Sequence, residues 1–224
     1  MEEGKGQTIF LSIIGIATLL VAIVGATFAY FSAQTTYSSD ANSVMVIQSA
    51  SGGTSQFSGG DNIVVTDIYP VDNHDWVQKT VNISYNNSTA ASDYSYTLTL
   101  VYNNQFEAGE IAYSFAPAAS SVCLKDASLD STACSAAGSS MVTSSPTSGD
   151  TQIGSSAAVT GTFGTGSGSA TLGTGVFKPT GSSGANHVYV LRIYYPNKVT
   201  SQNTNQGMTL AAHVAYAEGT GSGS

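Results

Sequence analysis

From Gly6 to Ser39 the chain carries no charged side chain, and the stretch Ile9 to Ala29 is apolar on every face. About twenty such residues are what a helix needs to cross the hydrocarbon core of a bilayer, and a helix without a polar face has no place on the surface of a soluble fold. Residues 1–29 are therefore expected to be a signal peptide or a membrane-spanning helix, and the protein an exported one. Thr27 and Ala29 supply small residues at the minus-three and minus-one positions of a cut before Tyr30, the pattern that a signal peptidase reads. Against removal, the apolar run is longer than a signal core, and Met1-Glu2-Glu3-Gly4-Lys5-Gly6 is a weak positive n-region. A cut after Ala29 is the favoured reading of these residues, with a retained anchor as the alternative.

Beyond Tyr30, apolar and polar residues alternate with period two. In Thr80 to Tyr85 the odd positions are apolar, and in Tyr94 to Tyr102 the even ones are, which predicts half-buried strands. His187 to Tyr195 and Met208 to Tyr216 predict two more, the first stopped by Pro196. Weaker strand patterns occur at Ser43–Ser49, Asn62–Thr66, Ile111–Phe115, Ala157–Phe163 and Ala170–Phe177. The polar connection Asn86 to Asp93 is rich in turn-formers and predicts that the strands on either side of it are antiparallel neighbours. No amphipathic helix of useful length follows the leader. Together these patterns predict an all-β fold, an antiparallel β-sandwich of jelly-roll or immunoglobulin-like kind. Its expected organisation is an extended segment at 30–48, a sandwich at 49–218 with a Ser/Gly-rich insert at 135–185, and a tail at 219–224. Ile153, Val159, Phe163, Leu172, Val176 and Phe177 predict that part of that insert pairs into the sheets.

A chain of 224 residues has, after such a leader, enough sequence for a single sandwich core. Charged residues make up only 9% of it, with a formal net charge of -8, so the surface must be wetted by hydroxyls and amides. The basic residues Lys5, Lys79, Lys125, Lys178, Arg192 and Lys198 stand singly, with no stripe to neutralise phosphates, which disfavours nucleic acid as a partner. Cys123 and Cys134 lie in one hydrophilic stretch, and two cysteines so close in an exported chain predict a disulfide. Asp72-Asn73-His74-Asp75 gathers oxygens that suit a hard cation, but a solvated turn with Asn and Asp bonding nearby backbone is favoured. His74, His187 and His213 are far apart and read as structural. No His-Glu-x-x-His, Gly-x-Ser-x-Gly or P-loop pattern occurs, so no catalytic residue, metal or cofactor is assigned. Asn82-Ile83-Ser84, Asn86-Asn87-Ser88 and Asn87-Ser88-Thr89 match the glycosylation acceptor pattern and are taken as marking a solvent-facing hairpin.

Three segments carry a family resemblance: Ala26-Thr27-Phe28-Ala29-Tyr30-Phe31-Ser32; Ile68-Tyr69-Pro70-Val71-Asp72 leading through Lys79 to Asn87; and Tyr189 to Pro196 followed by Gln202-Asn203-Thr204-Asn205-Gln206-Gly207. In that order they resemble the TasA and camelysin proteins of bacterial cell surfaces and biofilm matrices. The acidic n-region and the Gly/Ser-rich middle depart from the family pattern. The resemblance implies a jelly-roll sandwich, cleavage after Ala29 by a dedicated signal peptidase, and self-assembly into fibres in which the new N-terminal segment of one subunit adds as a strand to the next. Tyr30 to Ile47 is β-permissive and charged only at Asp40, with Tyr30, Phe31 and Tyr37 as the expected anchors of such a strand. Lys5-Gly6-Gln7 also resembles the site at which prepilin peptidases cut archaeal-type pilins, and a cut there would keep the helix on the mature subunit. The expected function is thus a secreted or cell-surface structural protein whose main partner is itself. A membrane-anchored or pilin-like adhesin that meets extracellular glycans or a host surface, and a camelysin-like metalloprotease, are the alternatives.

Overall fold

Strand-forming alternation dominates the folded part of the chain because each strand has one face to bury and one to wet. The computed structural model describes residues 45–48, 53–59, 62–87, 93–179 and 184–219. The leader, the expected processing residues Thr27, Ala29 and Tyr30, the alternative cut after Gly6, the strand anchors Tyr30, Phe31 and Tyr37, and the tail beyond Gly219 lie outside the described residues. The chain divides into two units, Met1–Ser38 and Ser39–Ser224, and the described residues belong to the second. Among them no helix is long and apolar enough to cross a membrane.

Among the described residues the strands are β1 Met45–Gln48, β2 Gly53–Ser58, β3 Ile63–Val65, β4 Asp75–Asn87, β5 Tyr94–Asn104, β6 Ala112–Pro117, β7 Val122–Cys123, β8 Met141–Val142, β9 Val159–Thr162, β10 Gly166–Phe177, β11 Ala185–Tyr194 and β12 Leu210–Gly219, with a short α-helix, α1, at Ser131–Ala136 and a single 3-10 turn at Asn203–Asn205. A six-stranded sheet runs in the order β1-β2-β4-β11-β6-β9, and a four-stranded one in the order β10-β5-β12-β3. All the ladders are antiparallel. The two sheets pack face to face as a sandwich around one cluster that includes Ile83, Leu98, Leu100, Phe115 and Leu191, all fully buried. Each such side chain contributes about 1.5–3 kcal/mol relative to exposure. The expected antiparallel β-sandwich is thus present.

Two expectations are corrected. β4 and β5 are not neighbours: β4 pairs with β2 and β11 in the larger sheet, and β5 with β10 and β12 in the smaller. The polar connection between them passes from one sheet to the other. Alternation shows that each strand has an apolar face, but two such faces are buried equally well side by side or facing one another across a core. Here they face, with Tyr85 and Tyr94 stacked at 4.7 Å. Asn82 is also not on a solvent-facing hairpin, since it sits half-buried inside β4 between two partner strands.

The ring contacts also fix how the sheets overlap. Phe57 of β2 meets Tyr216 of β12 at 5.3 Å, and His187 of β11 meets Phe177 of β10 at 3.9 Å. β12 therefore lies over β2 and β10 over β11, which puts the free edge of β10 and the outermost strand β1 on opposite sides of the sandwich.

The outer face of β11 is buried too. Val188 and Val190 are covered by Val122, Ala118, Ala127 and Val142 of the segment around β7 and β8. Asp130 caps α1 by accepting from the Ala133 amide at 2.8 Å, which sets Cys134 for its disulfide with Cys123, at a Cα–Cα distance of 5.6 Å. The Thr80 hydroxyl donates to the Cys123 carbonyl at 2.5 Å, so the bridged loop is fastened to β4. Because the loop covers the sandwich rather than forming it, replacing Cys123 and Cys134 with serine should cost roughly 2–3 kcal/mol. For a domain of this size that is a melting-point drop on the order of 5–10 °C with the β-sheet circular dichroism retained; an unchanged melting point would contradict the role given to the bridge.

Candidate functional site

β10 is a sheet edge of unusual character. It is 12 residues long, whereas the other three edges, β1, β3 and β9, have 4, 3 and 4 residues. Its sequence, Gly-Ser-Gly-Ser-Ala-Thr-Leu-Gly-Thr-Gly-Val-Phe, contains no charge and no proline, the devices by which edges normally refuse a further strand. Its glycines have a local cause. A Cβ on Gly168 would strike the Tyr102 ring, and one on Gly175 the Tyr96 ring, so tyrosines of β5 lie flat across β10 where side chains are missing. Gly173, at φ +139°, carries the bulge that shifts the β10–β5 register between Thr171 and Gly173.

The far end of this edge is closed by the chain itself. Thr151 and Val176 exchange both backbone hydrogen bonds, at 2.8 and 2.9 Å, and beyond that point the Asp150 carboxylate accepts from the Lys178 amide at 2.6 Å. From Gly166 to Thr174 no strand lies beside β10 on its outer side among the described residues.

What holds the closing segment is a buried polar chain. The Asp150 carboxylate accepts from the amide and the hydroxyl of Thr147 at 2.7 and 2.8 Å, and lies 3.1 Å from His187 Nε2, both side chains fully buried. His187 Nδ1 lies 2.6 Å from the Tyr96 hydroxyl, which lies 2.5 Å from the Tyr189 hydroxyl. The Tyr189 oxygen in turn accepts from the Ile153 amide at 3.1 Å. Proton directions follow from the ends. A carboxylate can only accept, so Nε2–H donates to Asp150, Nδ1 accepts from Tyr96, and Tyr189 donates to Tyr96. Burial lowers the His187 pKa although Asp150 pulls it up. Burial alone would raise Asp150, but the donors Lys178, Thr147 and His187 together hold it below the usual carboxylate value. Burial raises Tyr96 well above the ordinary phenol value and pushes Tyr189 up to about 12. A neutral histidine, an ionised aspartate and two neutral phenols satisfy one another and tie the loop of Thr147 to Ile153 to both sheets.

Sequence reading missed Asp150 as a structural residue. The only clue was a lone acid in the uncharged stretch from Ser135 to Phe177, with a histidine in a predicted strand downstream. His187 is structural, as expected, while His213 is exposed on β12. Cys123 and Cys134 are joined. The Asp72–Asp75 turn is engaged as a scaffold: the Asp72 carboxylate accepts from the Asn197 amide at 3.2 Å, Asp75 pairs with Arg192 at 2.7 Å, and the His74 ring packs against Trp76 at 4.5 Å. Among the described residues no three His, Cys, Asp or Glu side chains gather as a metal site.

No protein-family model, curated protein or solved structure matches this chain.

Two outcomes follow from the chain of hydroxyls and rings. His187 binds its proton less readily folded than unfolded, so stability is complete above its ordinary value of 6.5 and falls as pH drops below it; Asp150 adds a further loss below 3.8. Melting scans from neutral to acid pH should show this decline, and His187→Gln should lower the melting point and flatten the decline above the Asp150 range; an undiminished slope would contradict the assignment. Separately, Gly175→Ala should destabilise by roughly 1–3 kcal/mol in chemical denaturation, the range for overpacking a core, while Ser169→Ala, on the exposed face of β10, should be neutral.

Proposed function

We propose that this protein is an exported structural subunit that assembles into cell-surface or matrix fibres by strand addition, each copy giving the segment before β1 to the β10 edge of the next. The observation that carries the reading is the pairing of a long, uncharged edge at β10, beside which no strand lies from Gly166 to Thr174 among the described residues, with a chain that enters the sandwich at β1, on the opposite side. A contact between unlike surfaces on opposite sides of a subunit builds an open filament wherever its rotation does not close into a ring. An open edge receives an extended segment through main-chain hydrogen bonds, and the stretch Tyr30 to Val44 has one charge, Asp40. Tyr30, Phe31 and Tyr37 are its anchoring side chains.

On this reading the sandwich is of jelly-roll type, the protein acts outside the cell, its principal partner is itself, and a signal peptidase frees Tyr30 by cutting after Ala29. The resemblance of the three segments to TasA and camelysin proteins supports the same picture. No catalytic step forms part of the proposal.

The test uses the full chain, expressed in a host that processes the leader and viewed by electron microscopy and sedimentation. Removal of Tyr30 to Tyr37, or the double substitution Ser169→Lys and Thr171→Lys on β10, should abolish fibres while leaving a folded monomer of unchanged melting point. Fibres that persist in either variant would refute strand addition at β10, and a mature protein that begins at Met1 or Gln7 would replace it with an anchored role.

A further inference from the structure

A second feature lies away from β10, where the segments before β4 and after β11 meet. A cleft of about 570 Å³ is lined by Ile68 to Pro70 on one side and by the loop from Tyr195 to Gln206 on the other. This volume falls within the range of small-molecule sites, roughly 300–1,000 Å³. On its wall Tyr69 is 61% exposed, although its ring is held edge-on against Trp76 at 5.0 Å, with His74 against the same indole at 4.5 Å. An exposed aromatic ring fixed in this way presents an apolar surface whose orientation needs no further ordering. Val199, fully exposed, extends the lining.

The rest of the lining is polar and uncharged. Asn197, Thr200, Ser201, Asn203 and Gln206 contribute amides and hydroxyls. Two buried groups in the lining, the Tyr195 hydroxyl and Asn205 Nδ2, lie near one another but neither completes a hydrogen bond of normal geometry. The single cation, Lys198, is taken up by Glu110 at 2.9 Å and by the Gly109 carbonyl at 2.9 Å. The Gln202 amide donates to the same Glu110 carboxylate.

A cleft with a fixed aromatic face, many neutral donors and acceptors, and no free charge selects a ligand with an apolar face and many hydroxyls. A purely apolar ligand would strip water from the exposed amides and hydroxyls without replacing its hydrogen bonds, at about 1–3 kcal/mol for each group left unpaired, and an ion would find no counter-charge. We propose that this cleft binds a neutral carbohydrate, with Tyr69 as the face on which a sugar ring stacks and the exposed Asn197, Asn203 and Gln206 among its polar contacts. The site is independent of strand addition and serves a fibre subunit or an anchored protein equally.

Trp76 is the chain's only tryptophan and touches Tyr69, so its fluorescence reports occupancy. The full chain, held in a detergent without sugar, is titrated to about 10 mM, well above a millimolar dissociation constant, with neutral trisaccharides of glucose, N-acetylglucosamine, mannose, galactose and xylose, and separately with a Gly/Ser peptide. At least one trisaccharide should give a saturable change. Tyr69→Ala, at an exposed position, should weaken that binding about tenfold or more, and Tyr69→Phe should preserve it. The absence of any saturable response to the sugars, a response to the peptide alone, or sugar binding unaffected by Tyr69→Ala would each overturn the proposal.

Discussion

The hydroxyl of Tyr96, placed between His187 and Tyr189 in the middle of the core, is the contact on which the rest of this domain depends. It lies on β5 of the smaller sheet, while its two partners lie on β11 of the larger, so one buried oxygen joins the layers. Through His187 it reaches Asp150, and through Tyr189 it reaches Ile153. A loop with almost no apolar content of its own is thereby held at both ends. Buried polar groups are costly unless each is paired, and here every member of the chain has its partner. The same tyrosine explains a second feature, because its ring lies across β10 where Gly175 has no side chain.

The economy of charge gives the sandwich its other distinctive property. With 9% charged residues, few strands carry the lysines or acids that would repel a neighbour, and β10 carries none. In an intracellular protein at high concentration such an edge would be an aggregation hazard. In the assembly proposed above it would be the surface that receives a strand, and the loop latched by Asp150 closes it at Val176, so that the length left open is defined. The cleft beside Tyr69 follows the same economy: its polarity is amide and hydroxyl, and its one cation is neutralised within the fold.

Much of the fold was legible wherever alternation was strong. β5, β11 and β12 follow from Tyr94 to Tyr102, His187 to Tyr195 and Met208 to Tyr216 with small shifts at their ends, and the short strands β3, β6 and β9 fall close to their weak patterns. β2 was missed because Gly-Thr-Ser-Gln-Phe-Ser has a single large apolar residue, Phe57, and its burial depends on Tyr216 across the core. β10 follows its pattern from Ala170 onward, but Gly166 to Ser169 reads only as part of the Ser/Gly-rich insert, since glycines that make room for tyrosine rings resemble glycines that confer flexibility. The pairing of β4 with β5 was misread because period-two alternation identifies an inward face without naming what lies opposite. The disulfide was readable from cysteine count and spacing. The Asp150–His187 contact joins residues 37 apart in sequence with no motif between them, and the Tyr69 cleft is assembled from segments more than a hundred residues apart, so neither was visible before the chain was folded.

Amide hydrogen exchange, read residue by residue on β10 in material recovered from the cell surface and in dispersed monomer, tests the central claim most directly. The account predicts that outward-facing amides between Gly166 and Thr174 exchange rapidly in the monomer and become protected in the assembled form, while Val176, already bonded to Thr151, is protected in both. Equal exchange of the Gly166 to Thr174 amides in the two states would contradict it.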